Sequence, residues 1–507
     1  MAISRRQFLK RSAASAAALS AFGPRLRWLP GTGVSYAGGP ANAIVVFVQL
    51  YGGNDGLNTV YPVSGAQRTK YAQFRPTLKL PSINGEMTPW VTEGFGSSTV
   101  LSIGANVNGS TYGLHPAMGA LHGLYQAGKV AVVNGVHYPW ADHSHFRSEA
   151  IWYTVDPLGS SGQGWFGKYL DLAGFTPTQV PAIMLGDSLN PTFTPAQTSL
   201  FAFDRLSELR FPAAGGETLL KQATFRDLYD ESDDLNPSVY PELVKIGQTG
   251  LATIDNIQDY YKVGDGLGNA GKVEALLLDG GGEYDGDNPL VYDSPLNATT
   301  NPVLTDMRLA RDLKHVAATI RSNIGARFFH VAIGGFDSHS NQEQGFFHSY
   351  LLQEVSESIA AFYGELDQTV SLPGGYSGYL TGNLASQVLI VTFSEFGRTI
   401  RQNAYNPGPA GTDHATSSPQ FVIGGPVIGG QQYGAYPLLD NPGSENEDDL
   451  RMTYDFRDFF GTILARWLNV SVTDIGPGAG KIFPATPTAD SDGNDYVAFT
   501  PIGFLPP

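Results

Sequence analysis

The stretch "QVLIVTFSEFGR", residues 387–398, decides the fold. From Val388 to Phe393 every residue is apolar or β-branched, with no polar alternation, as in a strand buried on both faces. The run then stops at Ser394 and Glu395, with Gly397 and Arg398 just beyond, so a carboxylate and a guanidinium stand where a buried strand opens into a loop. Runs of the same kind recur in "AIVVFVQL" (43–50), "VAVVNG" (130–135), "RFFHVAIGG" (327–335) and "QFVIGG" (420–425). Helical patterns lie between them. In "LTDMRLARDLKHVAATIRSNIG" (304–325), Met307, Ala310, Leu313, Ala317, Ile320 and Ile324 share one face and Gly325 closes the helix. Residues 346–366 and 451–468 follow the same period. Strands alternating with helices predict an α/β fold, a mostly parallel sheet sandwiched by helices.

Residues from about 200 to 300 break the pattern. Acidic helical pieces give way to the Gly/Asp-rich "LLLDGGGEYDGDNP", which reads as a helical insertion with a long loop in one domain spanning 38–507. Glycine, at 61 of 507 residues, exceeds the usual share of about 7%, which predicts many turns where strands stop.

In open α/β sheets ligands bind beyond the carboxyl ends of the strands, where loops converge. "YGGNDGLNTVYP" follows the first strand with Asn54 and Asp55. "FDSHSNQ" follows the strand at 327–335 with Asp337, His339 and Gln342. Glu395 and Arg398 follow the strand at 387–393, and "GTDHA" (411–415) adds Asp413 and His414. Each has a structural alternative. Asn54-Asp55-Gly56 suits a turn, Asp337 a helix cap, and Glu395 with Arg398 a buried ion pair. "HYPWADHSHFRSEAIWY" (137–153) places His143, Ser144, His145 and Arg147 at the start of a helix, where free N–H groups favour an anion, or where Ser144 or Asp142 is only a cap. His115, in "GLHPAM", reads as a structural histidine.

The chain opens with "SRRQFLK" and the Ala-rich "SAASAAALSAF", then small residues suited to cleavage after Ala37. That is an export signal over 1–37, and the order of residues around Arg5-Arg6 resembles the twin-arginine type, which implies a periplasmic or secreted protein. Removal of 1–37 takes away Arg5, Arg6, Lys10, Arg11, Arg25, Arg27 and no acid, moving the formal charge from −16 to −22. A surface so acidic repels nucleic acid and anionic lipid. No later apolar run is long enough to span a bilayer. With no cysteine, any metal must be held by His, Asp, Glu, Asn or Gln.

Together, "LYGGNDGLNTVYP", "GLHPAM", "SHFRSEAIW", "GGFDSHSNQ", "FSEFGR" and "GTDHA" behind such a signal resemble the exported domain-of-unknown-function family 1501. That family is in turn similar to the alkaline-phosphatase-like superfamily of phosphatases, sulfatases and phosphoglycerate mutases, whose members hold two divalent ions at the carboxyl edge of a sheet. The resemblance implies an alkaline-phosphatase-like fold and, as ligands, Asp55, Asp337, His339, Asp413 and His414, with Glu395 as the later acid. This chain departs from the pattern. Phe396 stands where a histidine is expected, the spacing from Asp337 to His339 is short, and His414 is the last histidine in the chain. One divalent ion, Zn, Mn or Ca, is therefore expected, and a second is not supported.

Two functions fit. One is an exported metal-dependent hydrolase of a phosphate or sulfate ester, acting on a small anionic ester or glycan-linked substrate. Its catalytic residues would be Glu395, Ser144, Arg147 and Arg398, with the arginines neutralising developing charge. The other is a non-catalytic exported binding or assembly protein that keeps the hydrolase fold, for which Phe396 argues. Polysaccharide binding rests only on an aromatic content of 11%. Export gives a direct test. Sequencing the N-terminus of secreted protein should place it at or within a few residues of Ala37, and replacing Arg5 and Arg6 by Lys should stop export; intact Met1 on exported protein would contradict the signal.

Overall fold

A computed structural model describes residues 43–86, 88, 98–139, 141–157, 162–175, 180–186, 190–194, 200–203, 308–321, 323, 325–343, 347–369, 380–403, 409–440, 448–484 and 499–507. The export signal and nearly all of the helical insertion expected at about 200–300 lie outside these residues.

All five runs singled out in the sequence are strands of one sheet: β1 (Ile44–Leu50), β5 (Val130–His137), β8 (Phe328–Ile333), β9 (Val388–Phe393) and β10 (Ser418–Gly424). The sheet also takes in β6 (Ala182–Leu185), β7 (Leu200–Phe203), β11 (Gln431–Tyr433) and β12 (Tyr454–Asp455). Among the described residues it has nine strands, in the order β11-β5-β10-β9-β1-β8-β6-β7, with β12 beside β5. β7 lies where the insertion is expected to begin. The fold is α/β with a mixed, mostly parallel sheet. β10 is antiparallel to both β9 and β5, while the other pairings in the sheet are parallel.

Burial on both faces explains the unbroken apolar runs. Along β1, Ile44, Val46, Val48 and Leu50 enter one core, and Val45 and Phe47 enter the other. The first core is covered by α2 (Gly119–Gln126), α5 (Arg308–Arg321) and α6 (Phe347–Leu366). The second is covered by α3 (His145–Thr154), α4 (Trp165–Ala173) and α7 (Phe456–Thr462). The helix expected over 451–468 begins later, at Phe456. Residues 454–455 pair with β5 instead, and Asp455 caps α7 by accepting the Arg457 N–H at 2.8 Å. A small antiparallel sheet, β2 (Val60–Ser64), β4 (Thr111–Leu114) and β3 (Leu101–Ala105), packs on the first core.

The register aligns the edge that matters. Leu50 pairs with Ile333 and Gln49 with Phe393, so the loops after β1, β8 and β9 start level with one another. Because β10 runs the other way, the loop leading into it, 409–417, enters at that same edge. It threads between two neighbours, Thr412 N donating to Ser338 O at 3.1 Å and Thr399 N to Asp413 O at 3.0 Å. The approach is close enough that a Cβ at Gly411 would sit 2.2 Å from the His339 carbonyl carbon, which explains why "GTDHA" begins with glycine.

Asp55 belongs to this framework. Its Oδ2 accepts from Arg75 Nη1 at 2.6 Å and from the Gln342 amide, and both members of the ion pair are fully buried. Arg75 also donates to Ile400 O and Thr399 O at 3.0 and 2.6 Å, tying α1 (Ala66–Phe74) to the loop after β9. Asp55→Ala would strand a buried guanidinium, so urea unfolding should show a loss of about 3–5 kcal/mol; an unchanged midpoint would contradict this role.

Candidate functional site

Three imidazoles and one carboxylate meet at the carboxyl edge. Asp337, three residues past Gly334 at the end of β8, is the centre. Its Oδ1 lies 3.1 Å from His339 Nε2 and 3.1 Å from His414 Nε2, and those two nitrogens are 3.0 Å apart. Its Oδ2 lies 3.5 Å from the Nε2 of His145, the first residue of α3. Ligand atoms of His145, Asp337 and His414 all fall within 4.8 Å of one another.

Each ring is turned by its other nitrogen. His339 Nδ1 donates to Asp413 Oδ1 at 2.6 Å, His414 Nδ1 to the His143 carbonyl at 2.7 Å, and His145 Nδ1 to Glu395 Oε1 at 2.8 Å. With the ring proton on Nδ1, the neutral imidazoles direct bare Nε2 lone pairs at the carboxylate. Such lone pairs repel at this separation. One proton can bridge only one pair of these atoms, whereas a cation can serve Asp337, His414 and His145 together. Ligands bound at about 2.0–2.2 Å to one ion stand roughly 3 Å apart when adjacent, which matches the triangle around Asp337 Oδ1. His145 Nε2 is buried and has no hydrogen-bond partner. Histidine held by carboxylate or carbonyl through the far nitrogen is the usual arrangement around a metal.

The electrostatics agree. Burial raises the pKa of Asp337, but donation from Arg398 and its positive charge outweigh it and hold the group at about 2, so it is ionised. Burial lowers the pKa of His414, keeping it neutral. The hydrogen bond to Glu395 raises that of His145, so this ring holds an extra proton more readily than a free imidazole does when no cation is bound.

The expected site residues separate accordingly. Asp337, His339 and His414 come together as ligand candidates. Asp413 acts from behind His339. Glu395 accepts from the Gly52 N–H and from His145, both at 2.8 Å. The ion-pair partner of Arg398 is Asp337, at 2.7 Å, and not Glu395. Arg398 is 1% exposed and also donates to the carbonyls of Gly52, Gly53, Phe336 and Thr412. It is therefore a strut and is not positioned to meet a substrate. Asp55, paired with Arg75, stays out of the cluster. Ser144 is the exposed N-cap residue of α3, its hydroxyl not used for capping. Arg147 Nη2 points to Pro157 O at 3.5 Å. His145 was noted in the sequence only as a polar residue at a helix start. The signal that marks it is a histidine directly after the loop of buried β5, a strand that runs in the same direction as β1, β8 and β9.

A second group, His115, Glu343 and His348, is fully buried and also brings ligand atoms within 4.8 Å. Its protons are arranged differently. His115 Nδ1 accepts the Ala117 N–H at 3.1 Å, which places the ring proton on Nε2, facing Glu343 Oε2 at 3.6 Å. His348 meets oxygens on both sides, Glu343 Oε1 at 3.4 Å and Asn54 Oδ1 at 3.1 Å. Glu343 accepts further bonds from Asn58 and Ser349 at 3.0 and 2.8 Å. His115 turns its N–H toward the carboxylate at a distance longer than a hydrogen bond, so bare lone pairs do not converge here as they do at Asp337.

Equilibrium dialysis with zinc should give one ion per chain, lost in His145→Ala, His414→Ala and Asp337→Ala. Asp413→Asn should weaken binding by about 10- to 100-fold through His339. Affinity should rise with pH through the raised pKa of His145, because an ion must displace that proton; a flat profile would exclude His145 as a ligand.

No curated protein matches the chain. Residues 313–471 match the family model described as protein of unknown function (DUF1501). That span carries Asp337, His339, Glu395, Arg398, Asp413 and His414, so it supports the family resemblance for the loops after β8 and β9 and before β10.

Proposed function

We propose that this is an exported metal-dependent hydrolase of a phosphate or sulfate ester, with an alkaline-phosphatase-like fold. The observation that carries the reading is the convergence of three Nδ1-anchored imidazoles on ionised Asp337 at the carboxyl edge of a mostly parallel sheet. Imidazoles in the ligand set favour Zn over Ca. A divalent ion held there supplies polarisation of the ester oxygen and a water of lowered pKa.

The site is open to a substrate. The side chains of Asp337 and His339 are 46% and 41% exposed, which suits a coordination position left for water or ester. The first N–H groups of α3 and the uncommitted Ser144 hydroxyl lie beside His145 and are placed to receive anionic oxygens. Arg147, on the first turn of the same helix, adds positive charge to that end. Glu395 keeps His145 in the right tautomer and orientation, a positioning role.

One observation favours the alternative, a non-catalytic exported binding or assembly protein. The Phe396 ring lies 4.8 Å from His145 and 4.7 Å from His414, so an apolar group fills the position where a second ion's ligand would be needed. The test is hydrolysis of 4-nitrophenyl phosphate and 4-nitrophenyl sulfate by zinc- or manganese-loaded protein. Activity should follow ion content and vanish in Asp337→Ala. In Glu395→Gln metal affinity should fall about 10- to 100-fold, because a neutral amide oxygen holds the His145 N–H more weakly than a carboxylate does. Full ion occupancy without turnover would defeat the hydrolase and leave the binding protein.

A further inference from the structure

The α3 helix carries polar side chains beyond His145 on the same face. His145, Glu149 and Tyr153 are spaced at four-residue intervals and line one stripe. Both ends of that stripe are pinned to the sheet edge. His145 is bound to Glu395, which also holds the Gly52 N–H. Tyr153 Oη accepts from Gln49 Nε2 at 2.8 Å and pairs with Tyr51 Oη at 2.7 Å. Gln49, Tyr51 and Gly52 are nearly consecutive, so Glu149 is bracketed between the metal-binding cluster and the tyrosine pair. Tyr153 Oη reaches its Oε2 at 3.4 Å.

Resting on the hydrolase reading above, we propose that Glu149, set against the Tyr51–Tyr153 hydroxyl pair, is the proton donor to the leaving oxygen of the ester. The oxygen of water forms a bond to phosphorus or sulfur as the bond to the leaving oxygen breaks. That oxygen takes the electron pair of the broken bond and the Glu149 proton, and departs as an alcohol. The proton given up by the water returns the Glu149 carboxylate to its acid form. Ester and water thus become alcohol and phosphate or sulfate.

The surroundings of Glu149 suit an acid. Burial, then the negative charge of Glu395, push its pKa up to about 7, while His145 and the Tyr153 hydroxyl pull the other way. The groups that face it are therefore Glu395 from the loop after β9, His145 and Tyr153 from α3, and Tyr51 after β1 through Tyr153. Among the described residues Glu395 accepts from three donors, Gly52, His145 and Ser394, whereas Glu149 accepts only from Tyr153, which separates an orienting carboxylate from a proton-bearing one.

The experiment compares zinc-loaded full chain and Glu149→Gln, first checked for equal zinc content. On alkyl phosphate and sulfate esters the variant should lose about 10²- to 10⁴-fold in kcat. On the 4-nitrophenyl esters, whose leaving oxygen needs no proton, the loss should be less than about tenfold. Equal losses on both classes, or none, would overturn the proposal. Calorimetric binding of inorganic sulfate, whose charge is constant over the range, supplies a readout that needs no turnover. From pH 6 to pH 8 wild-type affinity should fall more steeply than that of Glu149→Gln, as Glu149 stops donating and begins to repel, the two sharing only the fall that ionisation of zinc-bound water imposes. If the wild type cleaves no ester, the hydrolase reading fails, and sulfate binding decides separately on Glu149. A steeper fall in the wild type than in the variant keeps it as the proton donor to a bound oxyanion, and identical profiles exclude it.

Discussion

One guanidinium holds the loops of this edge together. Arg398 donates to carbonyls of the segments after β1 and β8 and of the segment before β10, and to the Asp337 carboxylate. It does so from a position that is 1% exposed. A buried charge is tolerated only when its hydrogen bonds and its counter-charge are complete, and here the structure around it supplies both. The demand runs both ways: the backbone must bend to bring those carbonyls together, and Asp337 must stay ionised. The same bond that neutralises the arginine therefore fixes the anion around which three histidines gather.

Outer contacts distinguish the two histidine groups better than burial does. Around Asp337, each imidazole gives its Nδ1 proton to an oxygen behind it, leaving lone pairs in front. Around Glu343, the backbone N–H of Ala117 occupies His115 Nδ1 and reverses the direction of the ring proton. The residue types are nearly the same and the chemistry is opposite. Proximity of acids and histidines alone would have ranked the buried group at least as highly.

Much of this was legible in the sequence, for a physical reason. A strand buried on both faces must be apolar throughout, so β1, β5, β8, β9 and β10 stand out, and polar residues just beyond them are conspicuous. That is how Asp337, His339, Glu395 and His414 were found. Strand direction leaves no such mark, so the antiparallel β10 was not foreseen. Short strands such as β6, β7, β11 and β12 carry too few residues for a period. Partners across the chain were also invisible: Glu395 and Arg398 are close in sequence and of opposite charge, yet each binds elsewhere, Glu395 to His145 and Arg398 to Asp337. Asp55 could be placed at the right edge but not against Arg75, since that pairing depends on how α1 returns to the loop after β9.

The reversed direction of β10 has a consequence for assembly. His145, Asp337 and Glu395 follow strands, so they are in position once β5, β8 and β9 are laid down. His414 instead precedes a strand, and its placement depends on β10 inserting between β9 and β5. Joining segments so distant along the chain is slow, because loop closure must come before the contacts that reward it. The last histidine thus arrives with the strand that closes the sheet, and a complete ligand set exists only in a molecule whose core is already sealed. An ion bound there would be captured at the end of folding and would not nucleate it.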